Sequence, residues 1–344
     1  MEAWKKFGSF IGDHMAIISP LCVLFAVLFP DQISVLKPLV TPLFAFMTFQ
    51  GSLSNTFSNL AHTMRHPAPM LVSLAMASVV MPVTSYLLAS LFFSSSPDIV
   101  CGIVLEYSVP VAVVSCMWIG MHDGDTSLGL ATLLVSTVLS PFTIPLTLEV
   151  LVGQTVEVDV VGMMEDMLIE IAIPALLGIA TNDLTHGWGK RVLSPAISPA
   201  ARISLVLVIL CNSTSIAPYV RNLTPTLVGV IVFIGLFAAS GYALGLIVAR
   251  LWHQPRETQV TMTYSIGMRN ISAGAVIAAE FFPGEAMFPV VMGTLFQQVL
   301  AALAGKVLDR VAPVEASVEV PAEPTSEALS TEGAPSSPPK NHKC

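Results

Sequence analysis

Tyr107-Ser108-Val109-Pro110-Val111-Ala112-Val113-Val114-Ser115 has an echo later in the chain, Tyr264-Ser265-Ile266-Gly267-Met268-Arg269-Asn270-Ile271-Ser272. Both open on Tyr-Ser, continue with a β-branched residue and close on a serine, in register. Each segment lies inside an apolar run long enough to cross a ~30 Å hydrocarbon core as a helix. Each also carries an interruption near its middle, where Pro110 removes a backbone donor in the first and Gly267 loosens the second. Lipid offers freed N–H and C=O groups no partner, so an interrupted span must turn them toward protein, solute or ion. With the dipole ends of the half-helices, such groups are a means of holding a solute.

The surroundings of these segments are uniformly apolar. Of 344 residues 54% are hydrophobic and 11% charged, with a mean hydropathy of +0.76, whereas soluble domains are about one quarter charged. Apolar runs joined by short polar turns predict about ten helical spans, at 12–29, 35–51, 69–94, 99–121, 127–151, 160–181, 198–218, 226–250, 259–282 and 286–309. The runs are too long and too evenly apolar for the alternating strands of a membrane barrel. The two quoted segments fall in the fourth and ninth spans. An odd number of spans per repeat inverts the second copy relative to the membrane, an arrangement found in secondary transporters. The chain therefore divides into a cytoplasmic segment 1–11, a first five-helix repeat 12–151, a second, inverted repeat 152–311 and a tail 312–344.

Basic residues collect on the cytoplasmic side of membrane proteins. With a cytoplasmic N-terminus, Lys5, Lys6, Arg65, Lys190, Arg191, Arg250, Arg256, Lys306 and Arg310 fall on that side, and Lys37 and Arg221 fall outside. This predicts an integral protein of the plasma or inner membrane, embedded in the lipid bilayer, with both termini cytoplasmic. The tail is rich in Pro, Ser, Ala and Glu and reads as disordered. A net charge of -8 without a basic patch excludes nucleic acid as a partner. The five cysteines lack metal-site or disulfide spacing, and no nucleotide-binding, zinc-protease or nucleophile-elbow motif suggests an enzyme. No cofactor is indicated.

These segments, together with Met81-Pro82, Val135-Ser136-Thr137-Val138-Leu139-Ser140-Pro141, Gly162-Met163 with Pro174, and Gly293-Thr294-Leu295-Phe296, resemble the bile acid:sodium symporter family over about residues 10–310. The resemblance implies an all-α membrane protein of ten transmembrane helices in two inverted five-helix repeats. Broken helices 4 and 9 would cross in a core domain beside a panel domain, near two sodium ions. Organic anions are the family's usual cargo. The resemblance also exposes departures at the family's sodium-ligand positions. A third-span glutamine is replaced by Ala77, the asparagine after Ser115 by Cys116, and fifth-span hydroxyls by Gly129 and Leu133. In the ninth span a glutamate is replaced by Ser265 and a glutamine by Arg269.

Sodium is a hard cation that takes oxygen ligands, and a guanidinium is a fixed positive charge. Arg269 is therefore read as standing in for a sodium ion, with Ser115 and Ser265 as the residual sodium candidates. Sodium itself remains doubtful as a cofactor. A small organic anion is the expected solute, with Ser115, Cys116, Ser265, Arg269 and Asn270 around it. An intramembrane arginine calls for a partner or a use. Glu106 is the candidate ion partner, and Glu170, deep in the sixth span, is a candidate proton carrier. Asn212, Ser213, Thr214 and Ser215 are placed along the solute path. His122, Asp123 and Asp125 are turn and cap residues. The expected function is an anion transporter working by alternating access. The alternatives are a proton-coupled anion transporter using Glu170 or Glu106, and a non-transporting solute sensor; a homo-oligomer is compatible with all three.

Overall fold

The computed structural model describes residues 2–56 and 67–311. Arg65, placed on the cytoplasmic side by its sequence, and the tail 312–344 lie outside the described residues. The chain begins with α1 (Glu2–Asp13), α2 (Met15–Leu28) and α3 (Val40–Ser52), with short turns at Pro30–Ser34 and Lys37–Leu39 between the last two. Next come α4 (Ala68–Phe92), α5 (Pro97–Ser108), α6 (Ser115–Met121), α7 (Thr126–Val152) and α8 (160–184). The remainder is α9 (Gly189–Arg221), α10 (Pro225–Leu251), α11 (Arg256–Gly267), α12 (Ile271–Phe281) and α13 (Gly284–Val311). Among the described residues the one extended pairing is an isolated antiparallel bridge between Val111 and Arg269. The fold is all-α.

Five helices, α4, α7, α9, α10 and α13, are each long and apolar enough to cross a membrane unaided. The other expected spans are cut or charged. Helices α2 and α3 have 14 and 13 residues and reach only about 20 Å at 1.5 Å per residue. The fourth span is divided into α5 and α6, and the ninth into α11 and α12. The sixth, α8, carries Glu165, Asp166, Glu170 and Asp183. The segment expected to lead into the first span is itself helical, and α1 packs along α9 where Gly8 meets the ring of Pro199.

Proline shapes three of these helices in one way. Widened π-helical turns at Met76–Val80, Leu168–Ala172 and Gly189–Leu193 each end two residues before a proline, namely Pro82, Pro174 and Pro195. A proline ring strikes the carbonyl one turn back and cannot donate to it; widening that turn relieves both problems.

Small residues then bring helices together, as they do where lipid supplies no hydrophobic drive. At Gly102 a Cβ would lie 2.0 Å from the carbonyl oxygen of Ala286, joining α5 to α13, and at Gly245 one would lie 2.7 Å from the α11 backbone, joining α10 to α11. Helices α5, α11 and α12 are enclosed by α4, α7, α10 and α13, while α3, α8 and α9 pack on one another with α1 and α2 alongside α9.

Charges sort to the two ends of the bundle. The Lys37 ammonium donates to Ser215 Oγ at 2.9 Å, and the Arg221 guanidinium donates to the carbonyls of Val27 and Leu28. At the far end of α10, Arg250 donates to the carbonyl of Val311 and Arg256 reaches Asp309 at 3.3 Å. The pairs predicted outside and cytoplasmic thus occupy separate ends.

Candidate functional site

The interruption of the fourth span follows from its sequence. The residue before a proline is pushed to extended backbone, and Val109 adopts φ -64°, ψ 155°, ending α5 at Ser108. In the ninth span α11 ends at Gly267, Met268 is extended at φ -105°, ψ 127°, and Asn270 restarts the helix by capping it, its Oδ1 accepting from Ala273 N at 3.2 Å. Gly267, at which α11 ends, also has a packing role. A Cβ there would lie 2.5 Å from the ring of Tyr242, so its service is room for that ring.

The two interruptions cross. Ala112 N donates to Met268 O at 3.2 Å and Asn270 N donates to Pro110 O at 2.8 Å, the hydrogen-bond pair flanking Val111 and Arg269. The bridge is antiparallel, as required of spans traversed in opposite directions. Val111 N donates to Ser136 Oγ of α7 at 3.2 Å, and that hydroxyl donates in turn to Leu133 O at 2.9 Å. Several of the backbone groups expected to face a solute are therefore spent on the crossing. The role of Ser136 was hidden from sequence reading, because it depends on a neighbour in another helix.

Ser115 and Ser265 lie four residues from the bridge on the same side of it, at the start of α6 and near the end of α11, which pack together. Both are wholly buried; the Ser265 hydroxyl has no hydrogen-bond partner among the described residues, and the Ser115 hydroxyl has the neighbouring Cys116 thiol beside it. Cys116 and Asn270 are half-buried. Arg269 is 3% exposed, and its Nε, Nη1 and Nη2 make no hydrogen bond among the described residues. Glu106, also 3% exposed, leaves Oε2 without a partner. The direct ion pair expected between them does not form: no N···O approach falls within 4.0 Å. The reason is steric placement, since the carboxylate points toward α13, where a Cβ at Gly293 would sit 2.2 Å from Glu106 Oε1. The titratable side chains around the guanidinium are Glu106, Tyr107 and Tyr242.

The remaining candidates lie elsewhere. Glu170 is buried in the widened turn of α8, hydrogen-bonded by Thr41 and facing Glu280 and Asp166, away from the crossing. Asn212 is buried with Nδ2 unpartnered, and with Ser213, Ile271, Ser272 and Thr294 it borders a cavity of about 20 Å³ between α9, α12 and α13, room for roughly one water. A larger cavity of about 330 Å³ opens at the end of the bundle near Ser96, Tyr219, Asn222 and Glu285. Asp125 caps α7, accepting from Leu128 N at 3.0 Å, and Asp123 takes a left-handed turn at φ 55°. The His122 ring lies 3.3 Å from Asp309.

Three of the positions compared with sodium ligands carry no side-chain oxygen. Ala77 and Leu133 present buried hydrocarbon, and Gly129 is filled by Ile119, whose Cδ1 would lie 2.7 Å from a Cβ there. Arg269, four residues after Ser265, adds a buried guanidinium whose three nitrogens have no partner among the described residues, a fixed positive charge in the same stretch of chain.

The sequence profile of the Sodium Bile acid symporter family matches residues 41–223, a stretch that includes the fourth-span interruption. The chain is 37% identical over 296 residues to the uncharacterized protein YbaS of Bacillus subtilis (strain 168), covering 86% of this chain and 97% of that one. It is 22% identical over 288 residues to the uncharacterized sodium-dependent transporter YocS of the same organism, covering 82% and 86%. It is 23% identical over 292 residues to the ileal sodium/bile acid cotransporter of Oryctolagus cuniculus, covering 78% of each.

Proposed function

Because this chain belongs to the sodium bile acid symporter family, we propose that it is a secondary transporter that carries a small organic anion across the lipid bilayer by alternating access. The family is one of transporters, not enzymes, and the chain is an integral membrane protein. The observation that carries the reading is the antiparallel crossing of two interrupted spans around a buried guanidinium whose donors are all unused. A planar donor set of this kind matches a carboxylate, sulfonate or phosphate. Ten spans in two inverted five-helix repeats accommodate the crossing direction. In that arrangement α4–α7 and α10–α13 form the core domain and α1–α3, α8 and α9 the panel. Cytoplasmic termini follow in this reading from the excess of Lys and Arg on the side that holds Arg250 and Arg256.

Arg269 takes the place of a sodium ion in this reading, so that transport does not depend on sodium. The relatives named for sodium set the alternative. Uptake of taurocholate into proteoliposomes, in sodium chloride against choline chloride at matched ionic strength, tests both halves. Saturable uptake equal in the two salts is expected, and Arg269→Gln should weaken it. A strict sodium requirement would overturn the replacement of sodium by Arg269, and saturable binding without flux would point to a sensor. A second reading, proton coupling, is favoured by the burial of Glu170 beside Glu280 and Asp166 and predicts uptake driven by an imposed pH gradient and abolished in Glu170→Gln.

A further inference from the structure

We propose that Glu106 is the resident counter-ion of Arg269, compensating the guanidinium through space and yielding to the solute's anionic group when that binds. The second half rests on the anion-carrying reading above. A guanidinium keeps its proton, and an ion taken out of water without an opposite charge is unstable by a wide margin. Arg269 is 3% exposed and its three nitrogens have no hydrogen-bond partner among the described residues. Glu106 is the acidic side chain that packs at the ninth-span interruption, its Oε1 lying in the space over Gly293 that Ile271 also borders.

The placement of Glu106 is built rather than incidental. Its Oε1 fills space that a side chain on Gly293 would need, and the same point on α13 lies 3.2 Å from Ile271 Cδ1, two residues past Arg269. The carboxylate is thus held beside the ninth-span interruption by the absence of a side chain on α13. It is also kept out of contact, since no N···O approach falls within 4.0 Å and Oε2 remains unpartnered. A contact pair would occupy the guanidinium fork; a separated pair balances the charge and leaves the fork open. An arriving anion takes the fork and meets Glu106 as a like charge. A departing anion leaves Glu106 to balance Arg269, so the unloaded protein never holds an isolated buried cation. The residue therefore sets affinity by opposing the anion and does not touch it.

The test is a double-mutant cycle on the purified full-length protein, read by thermal unfolding with and without taurocholate as the anionic probe. Glu106→Gln and Arg269→Gln should each lower the melting temperature by about 10 °C, since each strands one buried charge. The double variant should recover at least half of that loss. Glu106→Gln should also be stabilised by roughly tenfold less taurocholate than the parent protein, a gain that a merely structural role would not produce. Losses that simply add in the double variant would overturn the counter-ion assignment. Unchanged taurocholate sensitivity in Glu106→Gln would overturn the competition with anion. No taurocholate effect in any variant, with the cycle still coupled, would instead overturn the anion reading while the counter-ion stands. Should Glu106→Gln fail to fold, Glu106→Asp keeps the charge and must fold for the assignment to survive.

Discussion

Replacing Gly267 by alanine separates two accounts of the ninth-span interruption by sign. If glycine served only to loosen the helix, alanine would stabilise the protein by about 1 kcal/mol, the helix-propensity difference. The structure gives the opposite result. A Cβ at Gly267 would lie 2.5 Å from Cγ and Cδ1 of Tyr242, inside the 3.0 Å that real contacts respect, so the ring must retreat by about half an ångström. It has little freedom to do so. The Tyr242 hydroxyl donates to Gln297 O at 3.1 Å, and the ring stands edge-on to Tyr264 at 6.3 Å. Overpacking of this kind costs about 1–3 kcal/mol, and loss of the hydroxyl's hydrogen bond adds about 1 kcal/mol. Against the propensity gain, Gly267→Ala should be destabilised by roughly 1–3 kcal/mol, a fall in melting temperature of about 5 °C. The assay is thermal unfolding in detergent, with Gly267→Ala/Tyr242→Val as the rescue that reopens the space. An alanine variant as stable as the parent, or more so, would refute the steric account and restore the loosening one.

Three further outcomes follow from contacts described above. Ser136→Ala should cost about 1–3 kcal/mol, because it leaves the buried Val111 N–H without its acceptor, and Ser136→Thr should retain most of that stability in the same unfolding assay. Asp125→Ala should cost about 0.5–2 kcal/mol through loss of the α7 cap, with Asp125→Asn close to the parent protein. Asn212→Leu removes a buried donor that has no partner and should leave the melting temperature unchanged or raised; loss of taurocholate uptake in that variant would place Asn212 on the solute path, and intact uptake would remove it.

The helical class and the two interrupted runs were legible because both depend on short-range sequence. Long apolar stretches force helices in lipid, and Pro110 dictates extended backbone at Val109 wherever the span packs. The burial of Arg269 could likewise be read from its place in an apolar run. What sequence could not show is set by partners in other helices. Gly267 reads as a loosening residue until Tyr242 is seen against it, and Ser136 reads as one more polar residue in a span until Val111 N–H is seen pointing at it. Glu106 and Arg269 were legible as opposite charges near one crossing. Their separation was not, because it is fixed by Gly293 on a third helix. The widened turns before Pro82, Pro174 and Pro195 lie between these cases. The prolines mark where the helix must adjust, and the manner of adjustment appears only in the fold.

The bonds that tie the two interrupted spans together run between main-chain atoms, with Ala112 and Asn270 as donors and Pro110 and Met268 as acceptors. Such a joint is indifferent to side-chain identity, save that its two donor positions must not be proline. Pro110 is tolerated inside it because it contributes only a carbonyl. A lineage using this architecture can therefore exchange the chemistry displayed at the crossing, an ion-binding oxygen for a guanidinium, without renegotiating the scaffold that presents it. Selectivity and foldability are thereby separable traits, and a designer wishing to retarget the protein could vary positions 111 and 269 first.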